Sequence, residues 1–233
     1  MVYLLDLGAY FAATCFSPSV QSGHTDTLIF EQPYEALQAR ARKDHTSFSW
    51  FFDDFDLVGA GTTATQQDVA IVFLQSDSGE GFFNVDGNDG DRYVTAFPLS
   101  ILESTTCGIS LSHRNNLTAW NNGDALVQAV AANNNNTIVV VNSVGPLILE
   151  PWVDHPNVTA VLWAGLGGTE TGNALVDVLY GAVNPSGRLP YTIAKSPSDY
   201  PAQLVTGGTG DEILNITYTE GCAVSPTDYG VHH

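Results

Sequence analysis

The sequence predicts an α/β fold: a mostly parallel sheet sandwiched by helices. Short apolar runs rich in β-branched residues recur along the chain, amphipathic stretches separate them, and glycine-containing turns join the two. With 233 residues, 44% of them hydrophobic, the chain is long enough for one sizeable core and short for two.

The elements follow in order. Residues 1–32 form an atypical N-terminal segment in which no strand is expected. Its opening is apolar but lacks a basic leader region, and Asp6 interrupts it, so it does not read as a working signal peptide. Pro33 to Lys43 reads as a helix with proline near its start. Ser47 to Asp56 is aromatic and acidic, and is expected to be buried under a neighbouring domain rather than to stack on a ligand. Val69 to Leu74 is a fully apolar strand that runs into the glycine- and acid-rich stretch Ser76 to Asp91. A helix is expected from Asp124 to Val130 with Asp124 as its N-cap, then a turn over Asn133 to Asn136 and a strand from Thr137 to Val141. The unit repeats, with a strand from Val158 to Trp163, a glycine turn at residues 165–168 and a helix from Thr171 to Tyr180. In doubly wound sheets ligands meet the loops at the carboxyl ends of strands, so Ser76 to Asp91 is the first place to look for chemistry.

Charge narrows the partners. Lys and Arg number 7 against 25 Asp and Glu, a formal charge of -18, which repels nucleic acid and anionic membranes and leaves neutral substrates such as sugars unaffected. No apolar run approaches the ~18–20 residues of a membrane helix. Cys15, Cys107 and Cys222 are too few and too far apart for a disulfide framework or a zinc site. Four N-x-[ST] sequons, at Asn116, Asn135, Asn157 and Asn215, point to glycosylation and a secreted parent protein.

Metal and other nucleophile readings fail on spacing. With Asp86 as first ligand, Gly90 and Asp91 fall where an EF-hand loop needs an oxygen ligand and a glycine, so no calcium site is expected. The histidines form no spaced ligand set, and His155 before Pro156 reads as a loop residue. Ser143 lacks the G-x-S-x-G elbow of a serine hydrolase, and Glu170 and Asp177 fit helix-end and solvent-facing roles. Neither cofactor nor metal is expected.

The stretch Ser78-Gly79-Glu80-Gly81-Phe82, followed by Val85-Asp86-Gly87-Asn88 and Gly90-Asp91-Arg92, resembles the acid/base loop of fungal-type glycoside hydrolase family 3 β-glucosidases. So do Asn142 to Pro146, Asp154 to Gly165 and Val183 to Tyr191, in the family's order across most of Pro33 to Gly221. The resemblance implies an (α/β)6-like sandwich domain, incomplete at both ends here, from a parent enzyme whose (β/α)-barrel carries an Asp nucleophile. It places Glu80 on the acid/base glutamate and Phe82 on an aromatic that packs on the aglycone sugar, a position where the family commonly has Tyr. The implied activity is retaining hydrolysis of terminal non-reducing β-D-glucosyl residues, as in cellobiose breakdown, with a β-glucoside or cello-oligosaccharide as substrate. Such hydrolysis needs two carboxyls about 5–5.5 Å apart, one attacking and one protonating. A glutamate between Gly79 and Gly81 suits the second role, because glycines let the backbone fold close to sugar. Two blander readings stand beside it: a solvated acidic loop, and a carbohydrate-binding or structural fragment without chemistry.

Three departures from the pattern matter. Tyr93 to Arg114 intervenes where the family runs directly on; codons at its two ends can hold a splice donor and acceptor in one phase, so residues 93–114 read as a retained intron. Beyond Gly221 the family's continuation gives way to an atypical tail, residues 222–233, which leaves 33–221 as the family 3 domain. The nucleophile-bearing barrel has no counterpart in these residues. Because the two carboxylates act as a unit, negligible turnover is expected of the chain alone.

Overall fold

A computed structural model of the chain describes residues 2–4, 31–76 and 117–200. Their centre is a five-stranded, all-parallel sheet of β1 (Val2–Leu4), β2 (Ser49–Phe51), β3 (Ala70–Ser76), β4 (Thr137–Ser143) and β5 (Val158–Trp163). The strands lie in the order β2-β1-β3-β4-β5. The expected α/β class with a parallel sheet is therefore found. One expectation is corrected: a strand does precede Pro33, and β1 lies inside the sheet, paired with β2 through Tyr3 and Trp50 and with β3 through Tyr3 and Ile71. Its three residues fall within an apolar opening whose other residues follow no strand period, which hides it from a pattern reading.

Each face of the sheet is covered by a helix pair. Helix α1 (Pro33–Lys43) and helix α4 (Thr171–Leu179) bury Ala36, Leu37, Leu175 and Val176 against Ile71, Phe73 and Val140. On the opposite face, α2 (Leu57–Ala64) and α3 (Gly123–Ala131) bury Ala60, Ala64, Leu126, Val127 and Val130 against Val72, Leu74, Val139 and Val141. Alternate residues of β3 and β4 thus serve alternate layers, and this double cover is why both read as nearly continuous apolar runs.

Local chemistry explains the helix ends. Pro33 stands in the first turn of α1, the Gln32 N–H donates to the Glu35 carboxylate, and Arg40, Arg42 and Lys43 occupy the last turn, where cations oppose the helix dipole. Helix α2 escapes a propensity reading because two glycines and two threonines make up half of its eight residues. Asp56 caps it by accepting from the Gly59 N–H at 2.9 Å. Gly61 lets it approach α3, since a Cβ there would stand 2.5 Å from Asn133 Nδ2 and 3.2 Å from the Ala129 carbonyl oxygen.

The expected N-cap of α3 is also corrected. Asn122, at φ +63°, precedes the helix, and Asp124 lies in its first turn. There its carboxylate accepts the indole N–H of buried Trp152 at 2.8 Å. Trp152 belongs to the connection from β4 to β5, where Leu147, Leu149 and Trp152 fill the α2–α3 face in place of a crossover helix.

Candidate active site

The strand order fixes where a ligand would meet this sheet. The chain runs from β1 outward to β2, then returns across β1 to β3 and continues to β4 and β5. The direction of winding reverses between β1 and β3, and in open parallel sheets the crevice at the carboxyl ends of such strands binds ligands.

The β3 side of that crevice is well defined. Gln75 stands in register with Asn142 of β4, and Ser76 with Ser143. Main-chain bonds fasten the strand end on two sides: the Trp120 N–H donates to the Gln75 carbonyl at 2.9 Å and the Val144 N–H to the Ser76 carbonyl at 3.1 Å. Both side chains are fully buried, yet among the described residues the Gln75 carboxamide and the Ser76 hydroxyl have no hydrogen-bond partner. Unpaired buried polar groups are costly and uncommon, so their presence at the carboxyl edge marks it as chemically unlike the rest of the core. The expected strand stops at Leu74, whereas β3 runs on through Gln75 and Ser76, polar residues that continue an apolar strand and so escape a hydrophobicity pattern.

Glu80 and Phe82 lie outside the described residues, as do Asp86, Asn88, Asp89 and Asp91. Glu80 follows Ser76 by four positions, and four residues of chain span at most about 14 Å. The neighbouring strands contribute an apolar rim at the same edge, where Val144 after β4 and Leu166 after β5 are exposed. Gly165 turns the chain there with a positive φ of 63°.

The remaining candidates fall elsewhere. The Ser143 hydroxyl donates to the Gly145 carbonyl at 2.6 Å, closing a local turn. His155 Nδ1 accepts from the Asn157 N–H in a loop at the opposite, amino edge of the sheet. Glu170 sits just before α4 and accepts from Asn173, and Asp177 is an exposed residue of that helix. Among the described residues no group of three His, Cys, Asp or Glu side chains could hold a metal ion. No described helix is long and apolar enough to cross a membrane. The aromatic stretch after α1 packs partly on itself: Tyr34, Phe48, Trp50 and Phe52 form a ring cluster with centroids 5.5–6.0 Å apart, with Trp50 still exposed.

Of the four sequon asparagines, Asn135 is exposed and Asn157 half-buried, both at the amino edge, while Asn116 and Asn215 lie outside the described residues. One phenol is perturbed: burial raises Tyr180 above its ordinary value, against the opposing effect of the Arg40 guanidinium 4.0 Å from its ring centre.

Comparison with known proteins agrees with this architecture. The chain is 50% identical over 192 residues to a Schizophyllum commune β-glucosidase, covering 82% of this chain and 88% of that one. It is 45% identical over 184 residues to β-glucosidase 1 of Aspergillus aculeatus, covering 79% of this chain and only 19% of that protein. Among solved structures, a β-D-glucoside glucohydrolase from Trichoderma reesei superposes with a TM-score of 0.68 at 42% identity, over 89% of this chain and 28% of that one. A Chaetomium thermophilum β-glucosidase superposes with a TM-score of 0.63, also at 42% identity, over 76% of this chain and 19% of that one. The chain thus spans less than a third of those three longer relatives. The glycosyl hydrolase family 3 C-terminal domain model matches residues 7–226, and the chain belongs to that family.

Proposed function

We propose that this chain is the acid/base domain of a retaining β-glucosidase, that residues 33–221 form that domain, and that Glu80 protonates the departing glycosidic oxygen and then activates water. What carries the reading is the position of β3 in a family 3 domain. Its carboxyl end lies beside the reversal point of the sheet, and four positions after it comes Glu80, between Gly79 and Gly81. Phe82 is assigned to the aglycone sugar, with apolar stacking but without a phenol hydrogen bond. The attacking carboxylate comes from a (β/α)-barrel partner, in keeping with relatives several times this chain's length. Substrates are β-glucosides and cello-oligosaccharides, neutral molecules that the charge of -18 does not repel. The parent protein is secreted.

The test is hydrolysis of an aryl β-glucoside by the chain with and without a separately supplied barrel domain. Turnover is expected only with the barrel, falling about 10²–10⁴-fold in Glu80→Gln, the usual worth of a general acid/base. A mixture as active with Glu80→Gln as without it would overturn the assignment. Glucoside binding without turnover in the mixture would favour a carbohydrate-binding domain instead. Residues 93–114 are proposed to be a retained intron; a mature transcript that keeps them as its dominant form would count against this.

A further inference from the structure

The amino edge of the sheet carries two sequons side by side. Asn135-Asn136-Thr137 enters β4 and Asn157-Val158-Thr159 enters β5; Thr137 and Val158 are register partners, and the Thr137 N–H donates to the Asn157 carbonyl at 2.8 Å. Both have threonine at the third position, and both lie at the same edge. They differ in what the acceptor nitrogen does in the folded chain.

In the run Asn133 to Asn136, three amides are committed. Asn133 Nδ2 donates to the Ala129 carbonyl; Asn134 Nδ2 donates to the Ala64 and Gln67 carbonyls; Asn136 Nδ2 donates to the Asp68 carbonyl while its Oδ1 accepts from Thr159. Asn135 is exposed at the bend and its carboxamide takes part in none of these bonds. Asn157 is the reverse case. Its Nδ2 donates at 2.7 Å to the carbonyl of Ala131, the last residue of α3, where the helix itself supplies no donor. Its own N–H is held by His155.

We infer that Asn135 bears an N-linked glycan in the secreted protein and that Asn157, with an equivalent sequon, does not. In the transfer, Asn135 Nδ2 attacks the anomeric carbon of a lipid-pyrophosphate-linked oligosaccharide. The bond from that carbon to the pyrophosphate oxygen breaks, the lipid pyrophosphate leaves with the electron pair, and Nδ2 gives one proton to a base and keeps the other. At Asn135 the new bond points into solvent. At Asn157 it would replace one of two hydrogens on a nitrogen lodged against the end of α3 and set a sugar ring there, so chains modified at Asn157 fold poorly and are lost before secretion. A glycan on Asn135 also stands at the edge opposite the carboxyl ends of the strands, where β3 ends four positions before Glu80. The inference rests on the proposed secretion and not on the proposed chemistry.

The chain, placed behind a secretion leader in a eukaryotic host, gives two populations to compare. Peptide mass spectrometry after a glycosidase that converts glycan-bearing Asn to Asp should find both sites modified in newly made intracellular chains, and Asn135 alone modified in secreted ones. A bare Asn135 in the secreted protein, or equal occupancy of both sites there, would overturn the inference. A second measurement needs no secretion: in unglycosylated chain from bacteria, Asn135→Asp should leave the melting temperature unchanged and Asn157→Asp should lower it. Equal effects of the two substitutions would contradict the stated cause.

Discussion

Gln75 of β3 and Asn142 of β4 stand opposite each other in register at the carboxyl end of the sheet, and their environments differ: Asn142 is half-buried, whereas Gln75 is 0% exposed and neither polar atom of its carboxamide has a partner among the described residues. A buried amide without partners gives up its hydration and gains nothing in return, a loss of about 1–3 kcal/mol. Gln75→Met keeps the length and volume of the side chain and removes the orphaned groups. It should stabilise the chain by an amount in that range, read as a higher denaturant midpoint with unchanged slope. A lower midpoint would mean that the carboxamide is satisfied in solution.

Gly172 and Gln32 set the spacing between the two helices of one layer. The Gly172 N–H donates to the Glu31 carbonyl at 2.9 Å, and a Cβ on Gly172 would stand 2.4 Å from the Gln32 carbonyl oxygen and 2.6 Å from that of Glu31. These are main-chain atoms that cannot swing aside, so Gly172→Ala must push the start of α4 away from the entry to α1. We expect a loss of about 1–3 kcal/mol, as for other overpacked sites, in the same denaturation measurement. An unchanged midpoint would show that the two helices are free to separate.

These two sites show where the sequence is readable and where it is not. Helix Pro33–Lys43 and strand Val158–Trp163 match the expected bounds because proline and charge placement mark the one, and a β-branched run before a glycine turn marks the other. Strand β1 and helix α2 are invisible for a common reason: their stability comes from neighbours rather than from their own residues. β1 is three residues held between two strands, and α2 depends on a glycine whose value appears only once α3 lies against it. For the candidate site, the motif around Glu80 is legible as a family resemblance. That its loop leaves β3 beside the winding reversal follows from pairing between strands far apart in sequence, Val2 with Ala70 and Ala70 with Thr137, which no local pattern encodes.

Tyr180 should make stability fall in alkali. Burial raises its folded pKa above the ordinary 10.0, partly offset by Arg40 and reinforced by Asp44. Below the unfolded value both states hold the proton and the contribution is fully present. As pH rises through and past it the unfolded chain releases the proton first, and stability is lost until the folded value is passed. Tyr180→Phe should therefore show a shallower decline in unfolding free energy between about pH 8 and pH 11 than the parent chain, with no difference in slope at neutral pH. Identical alkaline slopes would place the titration elsewhere.

Asn134 joins two elements that are far apart in sequence. From the turn between α3 and β4, its buried side chain donates to the carbonyls of Ala64, the last residue of α2, and of Gln67, and accepts from the Asn136 N–H at 2.8 Å. Those two carbonyls lie where α2 ends and the chain descends toward β3, so the amide closes the gap between the helix pair and the sheet. Asn134→Ala would remove all three bonds and should cost about 1–3 kcal/mol. Asn134→Asp keeps the acceptor for Asn136 but turns a carboxylate oxygen toward two carbonyl oxygens in a buried site, so it should be less stable than Asn134→Ala despite being nearly isosteric. The order parent, then Ala, then Asp in thermal unfolding at neutral pH is the expected result; Asp equal to or above Ala would show that the donated bonds do not hold α2 in place.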